Sequence, residues 1–101
     1  MISDNVYTIA QIRTLFTPVF QQYGVKKAIL FGSYAKGRAT RLSDIDLVVD
    51  SRLYGFKFYG FADSLERTID KHVDVFDIIE INHGSNIEKE IAGTGVVLYE
   101  Q

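Results

Sequence analysis

Apolar residues recur with two different spacings along this chain, and the switching between them limits the fold more than any single motif does. Between residues 8 and 23, Ile9, Ile12, Leu15, Phe16, Val19, Phe20 and Tyr23 follow at gaps of 3, 3, 1, 3, 1 and 3. Such gaps line one face of a helix. Thr8 with Gln11 resembles a capping box, and Gly24 is a natural C-terminal stop. Pro18 lies inside the pattern, which predicts a kink, or two helical pieces with Thr17 as a second cap. Lys27–Phe31 reads as a short strand, followed by Gly32-Ser33 and a polar, basic stretch from Tyr34 to Arg41. From Asp44 to Asp50 the period becomes two, the mark of a strand. Residues 51–57 read as a loop, and Phe58, Phe61, Ala62, Leu65 and Ile69 mark a second helix with Asp63 and Arg67 paired at i, i+4. Val73–Ile78 is a third strand, Ser85 with Glu88 caps a short helix that Gly93 should end, and Val96–Tyr99 is a last strand. The order helix, strand, strand, helix, strand, helix, strand predicts a small α/β (α+β) domain with a sheet covered by helices.

Nothing covalent can hold that fold, because the chain has no cysteine. Disulfides and thiolate zinc sites are excluded. An apolar core rich in Phe (7) and Tyr (6) must supply the stability. At 101 residues, with no linker and no repeat, the expectation is one domain over 1–101. A domain of this size buries about two-thirds of its unfolded surface, so a partner could add stability. A net charge of −2 argues against a broad nucleic-acid footprint or a polybasic membrane face. It leaves room for a local phosphate site. No unbroken apolar stretch exceeds four residues, as in Ala28–Phe31, whereas a membrane-spanning helix needs about 20. Met1–Asn5 carry an acid and no basic cluster, unlike a secretory signal. With the absence of cysteine, this points to the cytoplasm.

Chemistry concentrates around the strand from Asp44. Asp44 and Asp46 are two apart, so both carboxylates face one side, roughly 6.6 Å apart at Cα. Ile45, Leu47 and Val49 face the other side and feed the core. Like charges on one face repel, and a divalent cation offsets that best. Oxygen ligands with no Cys and no nearby His suit Mg²⁺ or Mn²⁺ rather than Zn²⁺. Alternate acids are also a common solubility device on exposed strands, so the pair alone decides little. Two other features carry weight. Gly32 after Phe31 permits a tight turn and close backbone approach, and Ser33 can cap a helical turn and offer its hydroxyl and N–H to phosphate. Lys36, Arg38 and Arg41 supply nearby positive charge, although an ordinary strand-to-helix turn would look similar. Asp74 lies between Val73 and Val75, where an unpaired acid is costly to bury. If its strand neighbours the first, three carboxylates meet and could hold two cations.

The run Gly32-Ser33-Tyr34-Ala35-Lys36-Gly37-Arg38-Ala39-Thr40-Arg41-Leu42-Ser43-Asp44-Ile45-Asp46-Leu47-Val48-Val49 resembles the signature of the polymerase-beta-like nucleotidyltransferase superfamily. Its longer form, with Ala-x-Gly after Gly-Ser and Ser-Asp-Ile-Asp-Leu at the end, is similar to the minimal nucleotidyltransferases, and the likeness covers the whole chain. The resemblance implies a mixed sheet of the polymerase-beta-like type. It implies that Gly32 and Ser33 contact the nucleoside triphosphate, with Lys36 and Arg38 as further cofactor-binding residues. Asp44, Asp46 and Asp74 would hold two Mg²⁺ ions, or Mn²⁺, and act in catalysis, Asp74 helping to activate the attacking hydroxyl. Tyr34 and Lys36 stand where members commonly carry Arg; Lys36 keeps the charge but loses the planar fork. ATP would be the substrate, and AMP would pass to an acceptor with release of pyrophosphate.

The chain ends soon after the predicted core, without the extra domain that antibiotic or RNA nucleotidyltransferases use to hold acceptors. The expected acceptor therefore comes from a partner. The resemblance implies an antitoxin paired with a HEPN-domain ribonuclease toxin, transferring AMP to a tyrosine of that toxin within a hetero-oligomer. Two alternatives stand: an antitoxin that neutralises by binding alone, and a small-molecule nucleotidyltransferase with a separate substrate-binding subunit. His72 and His83 read as surface or turn residues, since no second His or Cys has ligand spacing. Asp50 is expected in solvent, and Asp77 faces away from Asp74. Glu88, Lys89 and Glu90 read as a solvated helix face. Tyr54, Phe56, Phe58, Tyr59 and Phe61 read first as core packing, with an exposed partner patch as the alternative.

Overall fold

A computed structural model of the chain describes residues 5–101. Residues 1–4, most of the stretch read above against a secretory signal, lie outside the described residues. Helix α1 spans Ile9–Tyr23, strand β1 Lys27–Phe31, helix α2 Gly32–Ala35 and strand β2 Ile45–Asp50. Helix α3 spans Phe56–Ile69, strand β3 Val73–Asp77, a 3₁₀ turn Ile78–Glu80, helix α4 Asn86–Thr94 and strand β4 Val96–Glu100. The four strands form one mixed sheet in the order β3-β2-β1-β4. β1 pairs antiparallel with β2 and with β4, while β2 and β3 run parallel. A parallel neighbour requires a crossover, and α3 is that crossover.

Alternation along the strands divides the sheet into two faces. Ala28, Leu30, Ile45, Leu47, Val49 and Val73 are buried with Ile12, Phe16 and Phe20 of α1 and Phe61, Leu65 and Ile69 of α3. Phe20 packs on both Phe61 and Tyr99, so α1, α3 and β4 meet in one aromatic contact. The opposite face carries Asp46 and Asp74 in its β2–β3 part. Among the described residues, no helix is long and apolar enough to cross a membrane.

Several elements differ in detail from expectation. α1 is one continuous helix through Pro18, and the Thr17 hydroxyl donates to the Arg13 carbonyl at 2.7 Å instead of starting a second piece. Burial of Ile12, Phe16, Val19 and Phe20 along one face outweighs the missing proline N–H. Its capping box is formed as expected: Gln11 N–H donates to Thr8 Oγ1 at 3.0 Å, and Thr8 N–H to Gln11 Oε1 at 2.8 Å. Gly24 closes the helix with φ 70°. α3 starts at Phe56, two residues before the first expected apolar position, because Gly55 at φ 56° turns the chain into it. β3 stops at Asp77, whose carboxylate accepts from Ile79 N–H at 3.2 Å and bends Ile78 out of the strand. Ser85 caps α4, yet Glu88 reaches back to Gly84 N–H at 2.7 Å, one residue earlier than a capping box requires. α4 runs past Gly93 and closes at Gly95.

Candidate active site

The register of the central strands assembles the site. Phe31, the last residue of β1, pairs with Asp46 on β2, and Asp46 pairs with Asp74 on β3. The end of β1 and the two acids therefore lie in one row across the sheet. Gly32 follows Phe31 at φ 74°, a conformation that favours glycine. A Cβ at Gly32 would overlap the Asp46 carboxylate, so glycine is required both for the turn and for the close approach. Ser33 lies within the first turn of α2 and does not cap it: Phe31 is at the cap position and makes no side-chain cap bond. Asp44 is exposed and lies just ahead of β2, not within it.

Electrostatics mark the row. Burial pushes the Asp46 carboxyl up to about 6; the charges of Asp74 and Asp44, a hydrogen bond with the Asp74 carboxyl and the more distant Glu90 push the same way. Such crowding of acids is relieved by a proton or by a cation. Asp44, His72 and Asp74 each offer a donor atom, all within 4.8 Å of one another. The carboxylate oxygens of such a cluster fit Mg²⁺ or Mn²⁺, while the His72 Nε2 is already taken up by Asp74.

His72 is exposed, as expected of a surface residue, but it corrects the expectation that no histidine lies near the acids. Its Nε2 lies 2.8 Å from Asp74 Oδ1 and its Nδ1 2.7 Å from Glu66 Oε2. Its pKa is raised, chiefly by the hydrogen bond to Asp74. One signal could have found it: residues 72 and 74 are two apart beside a strand and share a face. Glu66 had no such signal, since its position depends on how α3 is rotated over β3.

The basic residues divide. Lys36 Nζ lies 2.8 Å from Glu90 Oε1, so α4 supplies the partner of this cation, and Glu90 is not simply part of a solvated face. Arg38 is exposed, and its N–H donates to the Ser33 carbonyl at 2.9 Å, closing the turn after α2. Tyr34 is buried in the core, and burial raises its phenol pKa. It therefore packs the fold and offers no positive charge to the turn. Asp77 is buried and accepts from the Ser51 hydroxyl, a structural role on the face away from Asp74. Asp50 is half-buried and 3.8 Å from Arg52, and His83 is fully exposed near Glu88. The aromatic run is split: Phe61 and Phe58 pack inward, while Tyr54, Phe56 and Tyr59 are 77%, 94% and 72% exposed.

A glycine-serine turn closing against an acid row on a mixed sheet suits a domain that handles phosphate esters beside carboxylates. The family model for polymerase beta, nucleotidyltransferase, matches residues 16–101, and the chain belongs to that family. Over 42 residues it is 40% identical to the Methanocaldococcus jannaschii protein named "Putative protein adenylyltransferase MJ0435". The match spans 42% of this chain and 45% of that protein, less than half of either. Among solved structures, a chain of a toxin–antitoxin complex with AMP-PNP superposes with a TM-score of 0.72 at 23% identity, covering 88% of this chain and 73% of that one. A chain from the complex of tri-AMPylated Shewanella oneidensis HEPN toxin with MNT antitoxin gives a TM-score of 0.67 at 19% identity, covering 93% and 74%. At these identities the two structures establish the shared fold.

Proposed function

We propose that this chain is a metal-dependent nucleotidyltransferase that moves AMP from ATP to a tyrosine hydroxyl of a partner HEPN ribonuclease toxin, as its antitoxin in the cytoplasm. The observation that carries the reading is the in-register row of Phe31, Asp46 and Asp74, with Gly32 closing on the Asp46 carboxylate and Asp44 just ahead of the strand. Family membership supports the reaction class. The named relative and the two toxin–antitoxin complexes support the choice of acceptor.

In this reading Gly32 and Ser33 receive the triphosphate, and the absence of a Cβ at Gly32 lets the Asp46 carboxylate lie against that turn. Asp44, Asp46 and Asp74 would hold Mg²⁺, or Mn²⁺. A bound divalent ion would lower the hydroxyl pKa and offset the charge gathering on pyrophosphate. Asp74 accepts the hydroxyl proton as the hydroxyl oxygen bonds to the α-phosphorus and the bond to pyrophosphate breaks. Arg38 and Lys36 face the phosphates, Lys36 only after leaving Glu90. The domain thus works by positioning and electrostatics.

Incubation with α-labelled ATP, Mg²⁺ and a co-expressed HEPN partner, followed by intact-mass analysis, tests this. AMP units on the partner, absent with Asp44→Ala or Asp46→Ala, are expected. A stable complex without an adduct would support the second reading, an antitoxin acting by binding alone. The engagement of Lys36 by Glu90 favours that alternative, because it reduces the cation on offer to phosphate.

A further inference from the structure

Asp74 has a mechanical problem that the other acids lack. It lies on β3, an edge strand of the sheet, and its side chain is 41% exposed. Asp46 shares a hydrogen bond with it while protonated and repels it once ionised, and an Asp44 carboxylate oxygen lies within 4.8 Å. A carboxylate in that position gains by rotating outward, away from the row. Something on its outer side must hold it in place.

We propose that His72 is the positioning residue of this site, holding the Asp74 carboxylate in the acid row through Nε2 while Glu66 fixes the ring through Nδ1. The inference rests on reading Asp74 as a site acid. Nε2 takes one Asp74 oxygen at 2.8 Å, leaving the other for the row. On the far side of the ring, Glu66 Oε2 is 2.7 Å from Nδ1. The same Glu66 oxygen accepts the Val73 N–H at 3.0 Å, the backbone bond between His72 and Asp74. Glu66 is therefore bound to the strand twice, by ring and by main chain. The chain Glu66–His72–Asp74 transmits the position of α3 to the acid. Neither carboxylate carries an alternative basic side-chain partner among the ion pairs of the described residues. Outer partners of this kind typically change metal affinity or activity 10–100-fold (about 10 to 100) when removed.

Mn²⁺ titration of the purified chain, read by EPR, tests this without ATP or acceptor. His72→Ala is expected to weaken Mn²⁺ about 10–100-fold. His72→Gln keeps an N–H donor near the Nε2 position and is expected to recover most of that loss. Pulsed EPR of the Mn²⁺-loaded wild type should show no directly bound ring nitrogen. Equal loss in both variants, or no loss in either, overturns the proposal. So does a ring-nitrogen coupling that vanishes in His72→Ala, which would make His72 a ligand. If the wild type binds no Mn²⁺, the metal-dependent function fails, and NMR of the imidazole decides this inference separately. A ring N–H protected from exchange, with protection lost in Asp74→Ala, is the expected result; an unprotected ring overturns it.

Discussion

Asp46 is placed where its charge is least welcome, between a buried strand face and two other acids. Its pKa of about 6 in the folded chain exceeds the ordinary 3.8. Between those values the folded state holds a proton that the unfolded state has released. By linkage, stability then falls as pH rises through that window. Asp46→Asn removes the penalty. Without divalent ions, thermal unfolding should give the variant a higher midpoint than wild type at pH 8, with the gap closing toward pH 4. Equal gaps at both pH values would contradict the account. His72 acts in the same direction at higher pH: its raised pKa gives stability present below 6.5 and lost as pH rises through its folded value. At this scale the sequence was informative where spacing alone decides. Gly32 adjoins Ser33, Asp44 and Asp46 are two apart on one motif, and Asp74 stood out as an acid between valines. The inward turn of Tyr34 and the pairing of Lys36 with Glu90 depend on how α2 and α4 pack, which no local spacing records.

The elements themselves were largely readable, because caps and periods are local. Their ends were not, wherever backbone geometry or tertiary contact decided. Gly55 starts α3 with no side-chain cap, and Asp77 ends β3 through its own carboxylate. α4 is the weakest of the longer helices in packing terms, with no fully buried residue. Its cap therefore matters more than usual. Ser85→Ala should cost about 1 kcal/mol, felt mainly within α4. Hydrogen exchange should show α4 amides opening about fivefold more often, while the global unfolding midpoint stays nearly fixed. A loss of midpoint matching the whole cost would show that α4 unfolds only with the sheet. Because Glu90 rides on α4, the same variant should also loosen the grip on Lys36.

Across the whole molecule, one run of aromatics serves two purposes. Phe61 is completely buried and Phe56 almost completely exposed. Phe61→Ala should cost about 3–5 kcal/mol, a large share of the stability of a domain this small. Phe56→Ala should stay within about 0.5 kcal/mol, as surface changes usually do. Urea denaturation of the pair checks both, and comparable losses would mean that Phe56 packs in solution. Helical phase from Phe58 to Ile69 foretold the inward set; the outward set begins before that phase is established. The parallel pairing of β2 with β3 has a consequence for the life of the chain on the ribosome. Asp46 and Asp74 stand side by side although 28 positions separate them in sequence. An antiparallel partner could have joined through a short turn, but a parallel one waits for the whole of α3 to be made and docked. Non-local pairings of this sort form late. A nascent chain that has emerged only through β2 thus carries the conspicuous acid pair and no site at all. The acids can meet only after α3 and β3 have been made, so the acid row is itself a record that the crossover has folded.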